Sequence, residues 1–140
     1  MTPTFKTLDI GGQPIPLWDV SPVETVSGDR RPVLVFLHGW GLAPPAYRHL
    51  LMSLAHTHRV IAPFVPGLCW NRPVRTYRSH HDLAAIILSV ADRLDLGRFH
   101  LAGQVNRRGI AAAMAAERPG LIASLTLIDA SGCQPRGEWP

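Results

Sequence analysis

Two glycine-marked corners hold the residues that could do chemistry. The first is His38-Gly39-Trp40-Gly41, which closes the apolar run Val33-Leu34-Val35-Phe36-Leu37. The second is Gly103-Gln104-Val105-Asn106, which follows Phe99-His100-Leu101-Ala102 and leads into Arg107-Arg108-Gly109. Glycine lets a chain turn sharply at the C-terminal end of a strand and leaves backbone N–H groups free of side-chain cover. Ligands of open α/β sheets bind at that end. At the second corner, two arginines at a helix N-terminus beside a glycine loop could hold an anion such as phosphate or carboxylate. The plainer readings are a glycine turn at the first corner and two solvated arginines at the second.

The elements that must position these corners follow from the pattern. Val33 to Leu37 is short, β-branched and aromatic, with no polar alternation, which predicts a strand buried on both faces at the centre of a parallel sheet. Further parallel strands are expected near 59–62, 98–102 and 124–128, with 33–37 or 98–102 central. Helices are expected over 45–56, 80–95 and 109–117. Prolines open the first, and Tyr47, Leu50, Leu51 and Leu54 form its apolar stripe. Ser79 and Asp82 have capping-box spacing at the start of the second, with Asp in place of Glu or Gln. Leu83, Ile86, Ile87, Val90 and Leu94 are its buried stripe, and Gly97 is its expected stop. Phe5 to Ile10 and Ile15 to Val20 flank Gly11-Gly12-Gln13 and predict a hairpin, with Pro14 and Pro16 assigning its second strand to a sheet edge. The fold class is therefore α/β: a doubly wound, mostly parallel sheet with helices on both faces and an N-terminal β-hairpin.

Together these residues resemble the α/β-hydrolase fold family, of the serine hydrolase or esterase type. His38-Gly39-Trp40-Gly41 is similar to its oxyanion loop. The resemblance implies that Trp40 offers its N–H to a developing oxyanion, with Asn106 as the second donor. Leu101-Ala102-Gly103-Gln104, Ile110-Ala111-Ala112-Ala113 and Glu117-Arg118-Pro119 match the flanks of the family's nucleophile elbow, G-x-S-x-G. The elbow itself departs from the pattern. Val105 stands at the nucleophile position, and Arg107 and Arg108 stand in place of two glycines. Phe64 stands where the family usually has an aspartate, and no second glycine lies near Cys69. Valine has no group that can attack a carbonyl, and its branched Cβ resists the strained backbone of an elbow. The family's acid and histidine follow the serine in chain order, whereas here the last histidine is His100 and Glu138 is the only acid after Asp129.

The resemblance spans about residues 5 to 132. It implies one incomplete domain over residues 1–140, a truncated α/β-hydrolase core. It implies a small-molecule ester or acyl substrate and acyl transfer to water in intact relatives, with this chain inactive as written. The run His38-Gly39-Trp40-Gly41-Leu42, with the tail Cys133 to Pro140, is similar as well to the methyl-ester carboxylesterases of biotin synthesis. With GC-rich codons over residues 105–109, dropping one base reads Ser-Thr-Gly-Gly, an intact elbow. A compensated one-base insertion would thus produce the segment observed. The alternative reading is a non-catalytic module that binds an anion or oligomerises.

Bulk properties narrow the classes further. The 140 residues are 46% hydrophobic and 17% charged, which suits one globular domain with a core. The net charge is +4, and every basic residue except Lys6 is an arginine, scattered rather than striped. Nucleic acid is therefore not an expected partner. Cys69 and Cys133 form neither a disulfide framework nor a metal-ligand spacing, so no metal or cofactor is expected. His49, His56, His58, His80 and His81 read as solvated. No secretory leader or apolar span is evident, which gives a cytoplasmic setting without membrane contact. Self-association through the last strand is expected, because a terminal strand would leave its edge unpaired.

Overall fold

The computed structural model describes residues 2–21, 31–39, 41–67, 79–104 and 108–128. Among these residues six strands form one sheet. In chain order they are β1 (Thr4–Ile10), β2 (Gln13–Val20), β3 (Val33–Leu37), β4 (Arg59–Pro63), β5 (Phe99–Gln104) and β6 (Ile122–Ile128). The helices are α1 (Arg48–Leu54), α2 (His80–Arg93) and α3 (Arg108–Glu117). The spatial order is β1-β2-β4-β3-β5-β6, so β3 and β5 are both interior. β3, β4, β5 and β6 run parallel, and the β1/β2 hairpin adds on antiparallel to β4.

Both faces of the sheet are covered, and alternation along the strands shows how. Val35 and Leu37 of β3, with Ile61 and Leu101, pack among α2 and α3 residues such as Ile87, Val90, Ile110 and Met114. Phe36, between them in β3, faces the other way with Val60, Ala62 and Ala102, onto Leu51 and Ala55 at α1. A strand buried on both faces can therefore be apolar throughout, as β3 is.

The helices form where their local signals place them, with two corrections. Ser79 caps α2: its Oγ accepts from Asp82 N at 3.2 Å, while Asp82 Oδ2 accepts from Ser79 N at 3.1 Å. The shorter Asp thus closes the reciprocal capping box. The helix stops before Gly97, however. Asp95 takes the left-handed conformation (φ 48°), Leu96 N donates to Ala91 O and Asp95 N to Asp92 O, each at 3.1 Å. This is a Schellman end built on an aspartate, one of the few residue types that visit that region readily. The second correction concerns α1. Pro44–Tyr47 is a 3-10 turn, and the tighter winding rotates the α-helical stripe. Leu51 is fully buried, whereas Leu50 is 44% exposed.

The hairpin also differs from expectation. β2 is not an edge strand, because it pairs with β1 on one side and β4 on the other. Its prolines are tolerated because β4 pairs only with Leu17–Val20, leaving Pro14 and Pro16 beyond that ladder. The missing proline donors cost no inter-strand bond there.

Three strands of this region meet at one carboxylate. Asp19 in β2 is 4% exposed. It accepts from Lys6 Nζ in β1 at 2.5 Å, and from Arg59 Nε and Nη2 in β4 at 3.1 and 2.8 Å. Burial pushes its carboxyl upward, but the hydrogen bonds and charges of Arg59 and Lys6 outweigh burial and hold it below its ordinary 3.8. A carboxyl lowered on folding contributes stability that is full above its unfolded-state value and is lost as pH falls through the folded one. In a urea-unfolding series from pH 7 to 2, stability should therefore fall below about pH 4, with part of that decline absent from Asp19→Asn. At pH 7 the substitution should cost about 3 kcal/mol, the low end for a broken buried pair, because Lys6 and Arg59 keep water contact.

Candidate active site

The C-terminal ends of β3, β4 and β5 converge on His38 and Gly39, the two residues after β3. His38 is fully buried. Its Nε2 accepts from Val65 N, just past β4, at 3.1 Å. A backbone N–H can only donate, so Nε2 carries the lone pair. Nδ1 then bears the proton and donates to Gly39 O at 3.0 Å. The imidazole is thus neutral and ties the end of β3 to the end of β4.

Gly39 O also accepts from Leu42 N at 3.3 Å, closing a four-residue turn. The turn's third residue, Gly41, has φ +72°, a conformation in which a Cβ would be strained. Gly39 is needed for a different reason. A Cβ there would lie 3.1 Å from Tyr47 Oη and 3.2 Å from Gln104 Oε1. Both oxygens take part in one network: Tyr47 Oη accepts from Gly39 N at 3.1 Å and donates to Gln104 Oε1. The Tyr47 ring packs edge-on against Phe36, with centroids 5.0 Å apart. The loop after β3 is thereby fastened to the last residue of β5.

Gly103 and Gln104 are strand residues that extend β5 two positions beyond the expected 98–102. Gly103 pairs with Leu37 of β3 and Leu127 of β6, and Gln104 with Ile128 of β6. Position 105 is therefore the first residue past a central strand, directly after the side chain that Tyr47 holds. Trp40, Val105, Asn106 and Arg107 lie outside the described residues. Arg108 is the first residue of α3. At Gly109 a Cβ would run into the His80 ring at the start of α2.

The described part of this corner is a scaffold rather than a set of reactive groups. Gly39 N is engaged by Tyr47 and Leu42 N by Gly39 O. Among the described residues, no group of three or more His, Cys, Asp or Glu side chains could hold a metal ion. Tyr47 escaped the sequence reading, which placed it in an apolar stripe. Its one visible signal was a hydroxyl-bearing residue inside that stripe, a short distance after a glycine turn.

Residues 32–140 match the family model of the alpha/beta hydrolase fold. The chain belongs to this family. It is 33% identical over 102 residues to a protein of Mycobacterium phage D29 named "Putative non-heme haloperoxidase", covering 72% of this chain and 37% of that one. A bacterial membrane phospholipase A structure superposes with a TM-score of 0.82 at 23% identity, over 97% of this chain and 42% of the other. The thioesterase domain from the curacin biosynthetic pathway gives 0.75 at 26% identity, over 89% of this chain and 43% of its own. The chain thus spans less than half the length of each of these relatives, and within that span their fold is the one described above. No helix among the described residues is long and apolar enough to cross a membrane.

The network around Gly39 should appear as an energetic coupling. Tyr47→Phe leaves the Gly39 N–H without its acceptor, and should cost about 1–3 kcal/mol in urea unfolding. A double-mutant cycle with Gln104→Ala should give a coupling energy of about 0.5 kcal/mol or more, as expected for residues sharing one hydrogen bond.

Proposed function

We propose that this protein descends from carboxylic-ester hydrolases and that the 140-residue chain does not itself hydrolyse esters. The observation that carries the reading is Val105. It follows Gly103-Gln104 at the exit of β5, the place where this family's elbow presents a nucleophilic oxygen. A side chain of carbon and hydrogen can form no acyl intermediate. Two similar structures are named for acyl-ester cleavage, a phospholipase A and a thioesterase domain, which supports an ester or acyl substrate in the active ancestors. Trp40 and Asn106 would be the oxyanion donors there, and the His38–Tyr47–Gln104 scaffold would position them. A cytoplasmic setting goes with this reading, on the two-cysteine composition.

The purified chain should leave p-nitrophenyl acetate at the background rate and take up no fluorophosphonate label. Val105→Ser alone should not restore turnover, because no histidine follows position 100 to act as base. Stoichiometric labelling of the unaltered chain would refute the reading. The nucleotide sequence over residues 105–109 bears on its origin: codons that cannot give Ser-x-Gly-Gly one base out of frame exclude a compensated insertion.

One observation favours a second, non-catalytic reading, association through β6. β6 is an outermost strand among the described residues, every residue in it is at least partly exposed, and Leu125 and Leu127 remain 39% and 38% exposed. A flat edge with apolar side chains invites pairing with another chain. Sedimentation should show concentration-dependent self-association of the wild type and a monomer for Leu125→Lys/Leu127→Lys. A monodisperse wild-type monomer at high concentration would count against this reading.

A further inference from the structure

One departure from the family pattern is not used by the elbow or by the network behind it. Phe64 stands where the family usually carries an aspartate, and its ring meets Phe5 of β1 edge-on, with centroids 6.1 Å apart. Phe64 is fixed by its own backbone, whose N–H donates to Pro16 O of β2 at 2.9 Å. Between these two rings and the turn that follows β3 lies a groove of about 480 Å³. Leu42 and Pro45 line its other side. None of its described lining residues carries a charge. At its rim, Phe5 and Leu42 are 61% and 43% exposed, two of the most exposed large apolar side chains among the described residues.

We propose that this groove binds the uncharged hydrocarbon part of a small ligand, an alkyl or aryl group, beside the Gly39–Gly41 turn. The volume lies in the range of small-molecule pockets, whereas a protein partner needs a much broader face. The lining decides the chemistry. A charged or strongly polar group would lose its hydration there and find no side-chain partner among the described lining residues, so the occupant is apolar. Phe64 is the deciding residue, because an aspartate in its place would set a carboxylate against the Phe5 ring. None of the described lining residues is a reacting group of acyl transfer. Binding can therefore be measured on a chain that turns over nothing.

The test is a fluorescence titration with N-phenyl-1-naphthylamine, an uncharged aryl probe, with 1-octanol as competitor. The expected result is saturable binding of one probe per chain, displaced by 1-octanol. Leu42→Asp and Phe64→Asp should each weaken it about tenfold or more, by placing a charge in the apolar lining. Leu125→Asp, on the exposed edge strand, should bind as the wild type does. Leu42 is exposed, so its variant keeps the wild-type urea midpoint and carries the test even if Phe64→Asp fails to fold. Absence of saturable binding would overturn the proposal. So would Leu42→Asp binding like wild type, or a loss in Leu125→Asp equal to that in Leu42→Asp.

Discussion

A single buried imidazole holds together the corner where β3 and β4 end. His38 accepts a backbone N–H from beyond β4 and donates to the carbonyl that opens the turn after β3. Both ring nitrogens are thereby assigned, and neither is available to move a proton for a substrate. A histidine at the mouth of a sheet invites a catalytic reading. Here its geometry makes it a strut between two strands, and the turn carrying Gly39 and Gly41 keeps its shape because of it. Removing the ring would strand a buried donor at Val65, a larger loss than the hydrogen bond itself contributes.

Tyr47 does for β5 what His38 does for β4. It reaches from the turn before α1 to Gly39 N and to Gln104, so the corner is held from two sides. Gly39 is required by the convergence of these two side chains, and Gly41 by its positive φ. Two neighbouring glycines thus answer to different constraints, one spatial and one conformational. Among the described residues the scaffold ends at Gln104, the last residue of β5.

Much of this was legible in the residues. β3 could be placed because a strand buried on both faces needs no alternation, and Phe36 indeed points to α1 while its neighbours point to α2 and α3. The α2 cap was readable because it is local, needing only Ser79 and Asp82. What escaped depends on neighbours distant in sequence. Tyr47 looked like one more stripe residue because Gln104 lies 57 positions away. Leu50 was misplaced because the preceding 3-10 turn rotates the helix, and Asp95 was passed over because glycine is the commoner left-handed end. Pro14 and Pro16 pointed to an edge that β2 occupies over only half its length. Val105, Asn106 and Trp40 were singled out by type and position, and the structure describes the frame around them.

The pairing of β3 with its two neighbours has a consequence for how the sheet assembles. Val33 meets Arg59 in β4, whereas Leu34 meets His100 in β5, with more than twice as much chain in between. Each doubling of a closed loop adds only about 0.6 kcal/mol of entropic cost, yet it ranks the two closures plainly. The β1/β2 hairpin is cheaper than either, since only Gly11 and Gly12 separate its strands. The strand that leads to position 105 therefore docks at the highest entropic cost among the central three. On loop-closure cost alone, the β3–β5 contact beside Gly39 thus costs more to form than the β1/β2 hairpin.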